Sequence, residues 1–182
     1  MPELLKKPAP EPPRWYAVKT FYRRLFPVRD AAAAKGMKPY VAMTVVEEVH
    51  HGKLVKVEQP LISALLFVYC TETELYGFKK EHESECMFYQ DFATRRPAPI
   101  DDTEMRSFII LTAPDHKTCV EYLGESVPDF KRGERVRVID GPLKGAEGYI
   151  KKIKSDRKFI VEIKGVAVIA VSYINPAFLE KI

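Results

Sequence analysis

The sequence predicts an α+β protein, with helices on an antiparallel sheet in its first two thirds and a small β-barrel at its end. Up to about residue 112, short apolar runs alternate with helix-start signatures, which is the pattern of helices packed against a sheet. The segment 130–182 instead holds runs of about five residues, separated by Gly, Asp, Ser or Lys and without a helix signature. That second pattern is typical of a small barrel.

These patterns divide the chain into four predicted segments. Residues 1–13 are rich in proline and have almost nothing to bury, so we expect a disordered leader. Residues 14–112 carry the α+β pattern, and the periodicity fades over 113–129, which we interpret as a linker. Residues 130–182 form the barrel.

The α+β segment opens with a predicted strand and helix. Trp15–Lys19 is a short apolar run with aromatic and β-branched residues, which indicates a buried strand. In the following helix, Pro27 suits the first turn and Gly36 suits the left-handed end. Alternating residues on both sides of His51-Gly52 then predict a hairpin.

The rest of this segment repeats a strand-and-helix order. Residues 65–70 are continuously apolar and predict a central strand. The capping-box spacing of Thr71 and Glu74 predicts a helix after it, and "CMFYQDF" predicts another short strand. Asp101 and Glu104 repeat the capping-box spacing at the start of the last helix.

In the predicted barrel, a glycine-rich stretch, "DGPLKGAEG", joins the first two strands. These strands cross at a steep angle and need a sharply bent connection. Gly141 and Gly145 adopt positive φ at little cost, and Pro142 stiffens the loop between them. Gly148 stands at the head of the second strand, where a missing side chain permits a bulge or a bend. These glycines are therefore expected to determine the backbone conformation of the loop and to have no chemical role.

Composition and charge exclude several classes of protein. The chain has 182 residues, 46% of them hydrophobic and 30% charged, and no apolar run long enough to cross a membrane. Three cysteines without a CxxC pair indicate reduced thiols in the cytoplasm, and the start lacks a secretory h-region. Residues 130–182 hold 12 Lys and Arg against 6 Asp and Glu, which suggests a nucleic acid or acidic partner or a solubilising surface.

We expect no catalytic residues, no metal site and no cofactor. His50 and His51 are adjacent, so along a strand they point to opposite faces and do not converge on one ion. Cys119 follows His116 by three residues, but in the predicted linker. The stretch "GPLKGAEG" lacks the GK[ST] ending of a phosphate-binding loop and opens a strand. The chain is therefore not expected to be an enzyme.

Several motifs, in order, resemble those of the NusG superfamily. "RWYAVKT" resembles the opening strand of the NusG N-terminal (NGN) domain, and "RRPAPI" with its acidic-capped helix resembles the end of that domain. The glycine turn after "VRV" resembles a KOW motif, and "FLEKI" resembles the last KOW strand. The resemblance covers residues 15–182 and implies an NGN-type α/β sandwich, a linker and an SH3-like KOW β-barrel.

One stretch indicates a specialised branch of this superfamily. "PLISALLFV" stands where NusG proteins usually have "FFPGYV-V". Ser63 and Ala64 replace the usual Pro-Gly, and Ile62 and Leu65 replace aromatic residues. With its proline-rich leader, the chain resembles the UpxY-like group of Bacteroides-type bacteria, whose members act on capsule and polysaccharide operons.

The resemblance implies a monomeric, cytoplasmic transcription elongation and antitermination factor that binds RNA polymerase. Its NGN domain would contact the clamp helices of the largest polymerase subunit through an exposed apolar patch rimmed by polar groups. In the resembling positions this patch comprises Phe21, Tyr22, Leu61, Ile62 and Leu65. For Leu61, Ile62 and Leu65, the alternative is that they are buried in the hydrophobic core.

Basic residues are candidate contacts to nucleic acid. Beside the first helix these are Arg23, Arg24 and Arg29, which could reach upstream DNA or the non-template strand. Arg95 and Arg96, in the loop before the last helix, are similar candidates. In the barrel, the basic run that could reach nascent RNA comprises Lys151, Lys152, Lys154, Arg157 and Lys158. A solvated charged surface is the alternative reading of each group.

In relatives the KOW barrel recruits a ribosomal protein, the termination factor Rho or RNA. These are therefore the further partners that the resemblance implies. An RNA-binding, ribosome-associated KOW protein is the alternative function.

Overall fold

The structure is a computed structural model that describes residues 10–114, 119–126, 133–153, 155–172 and 174–182. Its helices are α1 (Leu25–Ala34), α2 (Glu72–Glu81) and α3 (Asp102–Thr112), with a 3-10 helix at Pro176–Phe178. The strands of the first part are β1 (Arg14–Thr20), β2 (Lys38–Tyr40), β3 (Met43–His50), β4 (Lys53–Pro60), β5 (Leu65–Cys70), β6 (Cys86–Phe88) and β7 (Pro99–Ile100). The later strands are β8 (Val120–Gly124), β9 (Glu134–Val138), β10 (Glu147–Ile153), β11 (Asp156–Ile163), β12 (Ala167–Val171) and β13 (Leu179–Lys181).

The first sheet, which we call the N-terminal sheet, has the strand order β2-β5-β1-β6, with β7 also paired to β1. Strands β1 and β5 are its antiparallel centre, from Arg14 opposite Cys70 to Lys19 opposite Leu65. The continuous apolar run of β5 fits this place because both of its faces are covered. The prediction of a central strand is confirmed.

Helices α1 and α2 cover one face of the N-terminal sheet. Helix α2 begins as predicted, since the Thr71 hydroxyl accepts from the Glu74 N–H at 3.2 Å and the Glu74 carboxylate accepts from the Thr71 N–H at 2.8 Å. Between these helices and the sheet lies a self-contained core. Its fully buried members include Val18, Val28, Leu66, Val68 and Leu75.

Helix α3 covers the other face of the N-terminal sheet. The Asp101 side chain accepts from the N–H groups of Thr103 and Glu104, as expected of an N-cap. Phe108 is fully buried, and its ring centre lies 5.1 Å from that of Phe67 in β5. The opposite side of α3 contacts β10 and β11 of the second sheet. The described residues thus form four layers, in the order α1 and α2, N-terminal sheet, α3 and second sheet.

The second sheet, which we call the C-terminal sheet, is antiparallel and has the order β13-β9-β10-β11-β12-β8. The sequence predicts a small β-barrel at 130–182, and the structure has a small antiparallel β domain there that also includes β8, with β13 and β8 at the two ends of the strand order. Every residue of β12 is buried. Ile169 and its neighbours on one face join the core around α3, and Val168 and Ala170 pack on the other face with Ile160 and Leu123.

The segment predicted as a linker contains a strand, so the expectation of 113–129 without regular structure is wrong at residues 120–124. β8 pairs with β12, from Val120 opposite Val171 to Gly124 opposite Val168. Pairing with the buried β12 and the partial burial of Leu123 stabilise this strand. A sequence as short as "VEYLG" gives no clear strand pattern, because its stability comes from contacts with residues far along the chain. Residues 115–118 and 127–132 of the region lie outside the described residues.

The glycine-rich loop between β9 and β10 has the bends expected of it. Gly141 and Gly145 have φ of 81° and 92°, and the Gly145 N–H donates to the Val138 carbonyl at 2.8 Å. Gly148 is required for a different reason, which is the close approach of a neighbouring strand. An added Cβ at this position would lie 2.3 Å from the carbonyl oxygen of Ile160. The second sheet therefore depends on this glycine for its strand spacing.

Strands β3 and β4 form a separate two-stranded hairpin, as predicted. His51 and Gly52 at its tip have φ of 51° and 77°, the values of the two-residue turn that suits a hairpin twist. Most of its residues are exposed. An isolated hairpin without its own core is marginally stable in water. The length and exposure of this hairpin therefore suggest that it contacts a binding partner.

Candidate functional site: an apolar edge beside a strained turn

Two segments predicted to form one patch lie side by side at the end of β1. The Thr20 N–H donates to the carbonyl of Ala64 at 2.8 Å, which ties the turn after β1 to the segment that contains Leu61 and Ile62. The next residue, Phe21, donates its N–H to the carbonyl of Glu85 at 2.8 Å. The fold therefore brings together two stretches that are 40 residues apart in the chain.

The turn after β1 is strained and displays an aromatic ring. Tyr22 and Arg23 have φ of 50° and 59°, and residues with a Cβ lose about 1–2 kcal/mol each in that region. The turn is closed by the Arg24 N–H, which donates to the carbonyl of Phe21 at 2.9 Å. Tyr22 is 88% exposed while Phe21 is half-buried. Strain of this kind concentrates at functional sites.

The other three residues of the expected patch differ in exposure. Leu61 and Ile62 are half-buried and pack against the core around α3. Leu65 is only 5% exposed, as the first residue of the central strand β5, so in this structure it offers no surface to a partner. Burial supports the alternative of a core position for Leu65.

The hairpin adds apolar surface that the sequence reasoning did not single out. Val49 and Leu54 face each other across its strands and are 68% and 72% exposed, and Val45 is 59% exposed. The hairpin emerges next to the patch, since Leu61 follows β4 and donates its N–H to the carbonyl of Ala42 at 2.8 Å. The alternation around His51-Gly52 identified the strands, but exposure depends on which element covers them.

The basic residues beside α1 are partly neutralised. The Arg24 guanidinium donates to Glu85 at 3.0 Å, and Arg29 lies 2.8 Å from Asp30. A hydrogen bond from His82, with Arg24 beside it, holds the pKa of the Glu85 carboxyl below its usual range. Arg23 is exposed and has no ion pair in the described part of the chain.

The lysines of the C-terminal sheet do not form a single basic face. Lys151 lies opposite Lys158, and Lys152 lies opposite Arg157, so the two pairs point to opposite faces of the strands. Lys158 is ion-paired with Glu121. Lys152 is exposed, and Lys154 lies outside the described residues. The alternation of the strand explains why a basic run in the sequence is divided in space.

Thiol and imidazole groups in the described part of the chain show no reactive arrangement. Burial raises the pKa of Cys70 to about 12 and that of Cys86 to about 11, so neither is a thiolate near neutral pH. His50 Nε2 lies 3.0 Å from a carboxylate oxygen of Glu48 at the hairpin. Within the described ranges, no three His, Cys, Asp or Glu side chains are placed to hold a metal ion. His116 lies outside those ranges.

The contact between α3 and the C-terminal sheet contains a buried polar junction. The Ser107 hydroxyl donates to the Thr103 carbonyl at 2.8 Å and accepts from the Glu147 N–H at 2.9 Å. The Glu147 carboxylate in turn lies 3.1 Å from Arg135 and 2.8 Å from Arg137. Burial disfavours the charge of Glu147, but the two arginines outweigh burial and place its pKa below the usual range.

Comparisons with known proteins agree on one family. The sequence model described as "Transcription termination factor nusG" matches residues 13–109, just over half of the chain. The transcription termination/antitermination protein NusG of Borreliella burgdorferi is 38% identical over 64 residues, which are 35% of this chain and 33% of that protein. The match thus spans about a third of the relative's length.

One solved structure, titled "Domain interaction in Thermotoga maritima NusG", is similar along most of the chain. The two share 23% identity, with 93% of this chain and 97% of that chain covered and a TM-score of 0.46. Among the residues that the structure describes, no helix has both the length and the apolar character needed to cross a bilayer.

Proposed function

The chain belongs to the NusG family of transcription termination and antitermination factors, and on that premise we propose that it binds RNA polymerase and promotes processive elongation. The N-terminal body, residues 14–112, is the proposed polymerase-binding part. We propose that it acts in the cytoplasm as a monomer and without catalysis of its own. Family membership supports the transcription role, and the surface at the end of β1 supports the mode of binding.

The observation that carries this proposal is the exposed, strained Tyr22 in a turn that the Thr20–Ala64 hydrogen bond ties to the segment of the half-buried Leu61 and Ile62. An aromatic anchor beside partly exposed aliphatic side chains, rimmed by charges such as Arg23 and Glu85, has the composition of a protein-binding surface. A coiled-coil tip offers matching apolar side chains. We therefore propose the clamp helices of the largest polymerase subunit as the element bound here.

Three further residues support or extend the proposed contact. Phe21 lies beside Tyr22, with its ring centre 6.4 Å from that of Tyr22, and limits the orientations of the anchor. Leu65, being buried, is proposed to support Leu61 and Ile62 from below without touching polymerase. The hairpin, with its exposed Leu54, extends the apolar surface from the same edge.

Binding to purified core RNA polymerase tests this proposal. Tyr22→Asn removes the ring and tolerates the positive φ, so it should keep the fold and weaken binding by about tenfold, the loss of one hot-spot residue. Ile62→Asp should weaken binding more, with circular dichroism to check its fold. Tyr76→Ala on α2, which removes a 43% exposed tyrosine elsewhere, is the matched control and should bind like the wild type. Equal binding by all four proteins would refute the proposed surface.

We also propose weak, sequence-independent contacts to nucleic acid and a separate partner for the C-terminal sheet. Arg23 is the strongest of the predicted residues near α1, because Arg24 and Arg29 have acidic neighbours. In the C-terminal sheet, Lys152 is exposed, whereas Lys151 is half-buried. A ribosomal protein or Rho remains the proposed partner of this sheet. Tight binding to structured RNA without binding to polymerase would instead favour the ribosome-associated alternative.

The altered stretch "PLISALLFV" leads us to propose a specialised factor that serves selected operons, such as polysaccharide loci. A housekeeping factor occupies polymerase on most genes, whereas a specialised one is confined to a few. Chromatin immunoprecipitation of the tagged protein distinguishes them: signal restricted to a few long operons supports the proposal, and genome-wide signal contradicts it.

A further inference from the structure

A large cleft lies between the N-terminal body and the turn that joins β11 to β12. Its volume is about 1030 Å³, and it lies away from the apolar patch and from the lysines of β10. The walls come from the segment before β1, from the loop between β6 and β7, and from Lys164–Val166 in the C-terminal sheet. The two halves of the molecule therefore build it together.

The loop between β6 and β7 is fixed at its base and exposes an aromatic ring. Gln90 and Pro97 form a bridge across it, and the Asp91 carboxylate accepts from the N–H groups of Ala93 and Thr94 at 3.0 and 2.8 Å. Phe92 at its tip is 91% exposed. Because the Phe92 ring is exposed to water, it contributes nothing to the stability of the folded protein.

The acidic and basic side chains of the cleft differ in whether they have hydrogen-bond or ion-pair partners on the protein. Its four carboxylates have partners on the protein, since Glu11 accepts from the start of α2, Glu72 pairs with Arg96, Asp91 holds its own loop and Glu125 accepts from Tyr89. Among the described residues, three of the cations have no side-chain hydrogen bond or ion pair, although Lys164 interacts electrostatically with the Asp91 carboxylate. These are Arg14, Arg95 and Lys164.

Arg95 is held in an unusual conformation within this loop. Its φ is 58°, and its N–H donates to the Asp91 carbonyl at 2.9 Å. The backbone strain is therefore maintained by the same loop that exposes Phe92. Three cations without a side-chain hydrogen bond or ion pair, from three separate elements, line the same cleft as this exposed aromatic ring.

From this arrangement we propose that the cleft binds single-stranded nucleic acid. A base stacks on Phe92, and the phosphates on either side contact Arg14, Arg95 and Lys164. Stacking on an aromatic ring together with phosphate contacts is the general mode by which proteins hold single strands without reading sequence. Duplex nucleic acid is disfavoured, because its bases are already stacked on each other.

An acidic peptide is the competing ligand, and the geometry favours nucleic acid over it. Carboxylates of a peptide would meet the same cations, but they have no flat group that requires a fully exposed ring. The site shares no residue with the proposed polymerase patch or with the lysines of β10, and it adds Arg14, Lys164 and Phe92 to Arg95, which the sequence already offered as a nucleic-acid contact. Its test needs no polymerase, so its failure leaves the proposed function standing.

Fluorescence anisotropy with the whole protein and labelled oligo-dT and oligo-U of about 20 nucleotides tests the proposal. Arg14→Ala/Arg95→Asn/Lys164→Ala removes the cations and should weaken binding by about tenfold or more, where Asn tolerates the positive φ. Three phosphate contacts also predict a slope of about −2 for log K against log salt, which should fall in this variant.

Two further variants separate stacking from general charge attraction. Phe92→Leu keeps an apolar side chain but should weaken binding by about tenfold, while Phe92→Trp should bind like the wild type and show quenched fluorescence. Lys53→Ala/Lys80→Ala/Arg106→Ala removes the same charge from exposed sites outside the cleft and should change binding little. Tighter binding of oligo-dT would identify the ligand as DNA, and tighter binding of oligo-U would identify it as RNA. Either result supports the proposal that the cleft binds a single strand.

Three results would overturn the proposal. One is equal weakening by the cleft variant and by its charge-matched control. Another is unchanged binding by Phe92→Leu. The third is binding of poly-glutamate, or of a duplex of the same length, as tight as that of the single strand.

Discussion

The two faces of the N-terminal sheet are covered in different ways. On one face, α1 and α2 bury Val18, Leu66 and Val68 in a core that belongs to the N-terminal body alone. On the other face, α3 buries Phe67 and Leu65, and its core continues without a break into the C-terminal sheet. The first face is therefore complete by itself, and the second is completed by the other half of the chain.

The difference follows from the amphipathic character of the helices. Helix α2 is buried at Leu75 and Phe78 and carries charges on its outer side, as a surface helix does. Helix α3 is buried at Met105, Phe108 and Leu111, and partly buried at Ile109 and Ile110 as well. A helix that is apolar on two sides must lie between two layers. α3 is thus the element that joins the halves of the molecule.

The largest expected effect is at the centre of that shared core. Phe108→Ala should cost about 3–5 kcal/mol of unfolding free energy, because it leaves a cavity beside Phe67. Hydrogen exchange should accelerate both in β5 and in β10–β11. The matched variant Phe78→Ala, which opens the self-contained core, should affect α1 and α2 most. Unchanged exchange in β10–β11 after Phe108→Ala would show that the halves are independent.

A second prediction concerns the strand spacing of the C-terminal sheet. Gly148→Ala places a methyl group 2.3 Å from the Ile160 carbonyl oxygen and should cost about 1–3 kcal/mol. Gly77→Ala in α2 meets no atom within 4 Å and should stabilise by about 0.5–1 kcal/mol. Urea unfolding measures both. A neutral Gly148→Ala would mean that the strands are more widely spaced than described.

The polar junction between α3 and the C-terminal sheet predicts a smaller effect. Ser107→Ala leaves the Glu147 N–H without its partner and should cost about 1–2 kcal/mol. Ser84→Ala, at an exposed turn, should change stability by less than about 0.5 kcal/mol and is the control. If the two substitutions proved equal in thermal unfolding, the junction would not be formed in solution.

The smallest expected effect depends on pH. The pKa of Glu147 is lowered in the folded protein, so its ion pairs stabilise the fold above the unfolded value of about 4.3 and are lost as pH falls through the folded value. Glu147→Gln should therefore lower the melting temperature at pH 7, and the difference from the wild type should shrink below about pH 4. A difference that stays constant with pH would exclude this role for the carboxylate.

What the sequence could predict depended on how local each signal was. The capping box at Thr71–Glu74 and the hairpin turn at His51-Gly52 are set by neighbours along the chain, and both were predicted correctly. The strand β8 was missed because its stability comes from β12, which lies 40 residues or more away. The burial of α3 on both sides was likewise not predicted, although its run "SFIILT" carried the signal.

The candidate site shows the same limit. The sequence motif identified the segments of Phe21 and Ile62, and their contact follows from the pairing of β1 with β5. Nothing in the sequence indicated the strain at Tyr22 and Arg23, because neither residue type favours a positive φ. The exposure of Phe92 also depends on the three-dimensional arrangement, since aromatic residues are more often buried.

A single-round elongation assay with purified polymerase tests whether the surface around Tyr22 and Ile62 acts in transcription. The wild-type protein should shorten pauses and raise the fraction of full-length transcripts on a polysaccharide-operon template. The variant that combines Tyr22→Asn with Ile62→Asp should have no such effect while it remains folded. Transcript profiles that are identical with and without the wild-type protein would contradict the account.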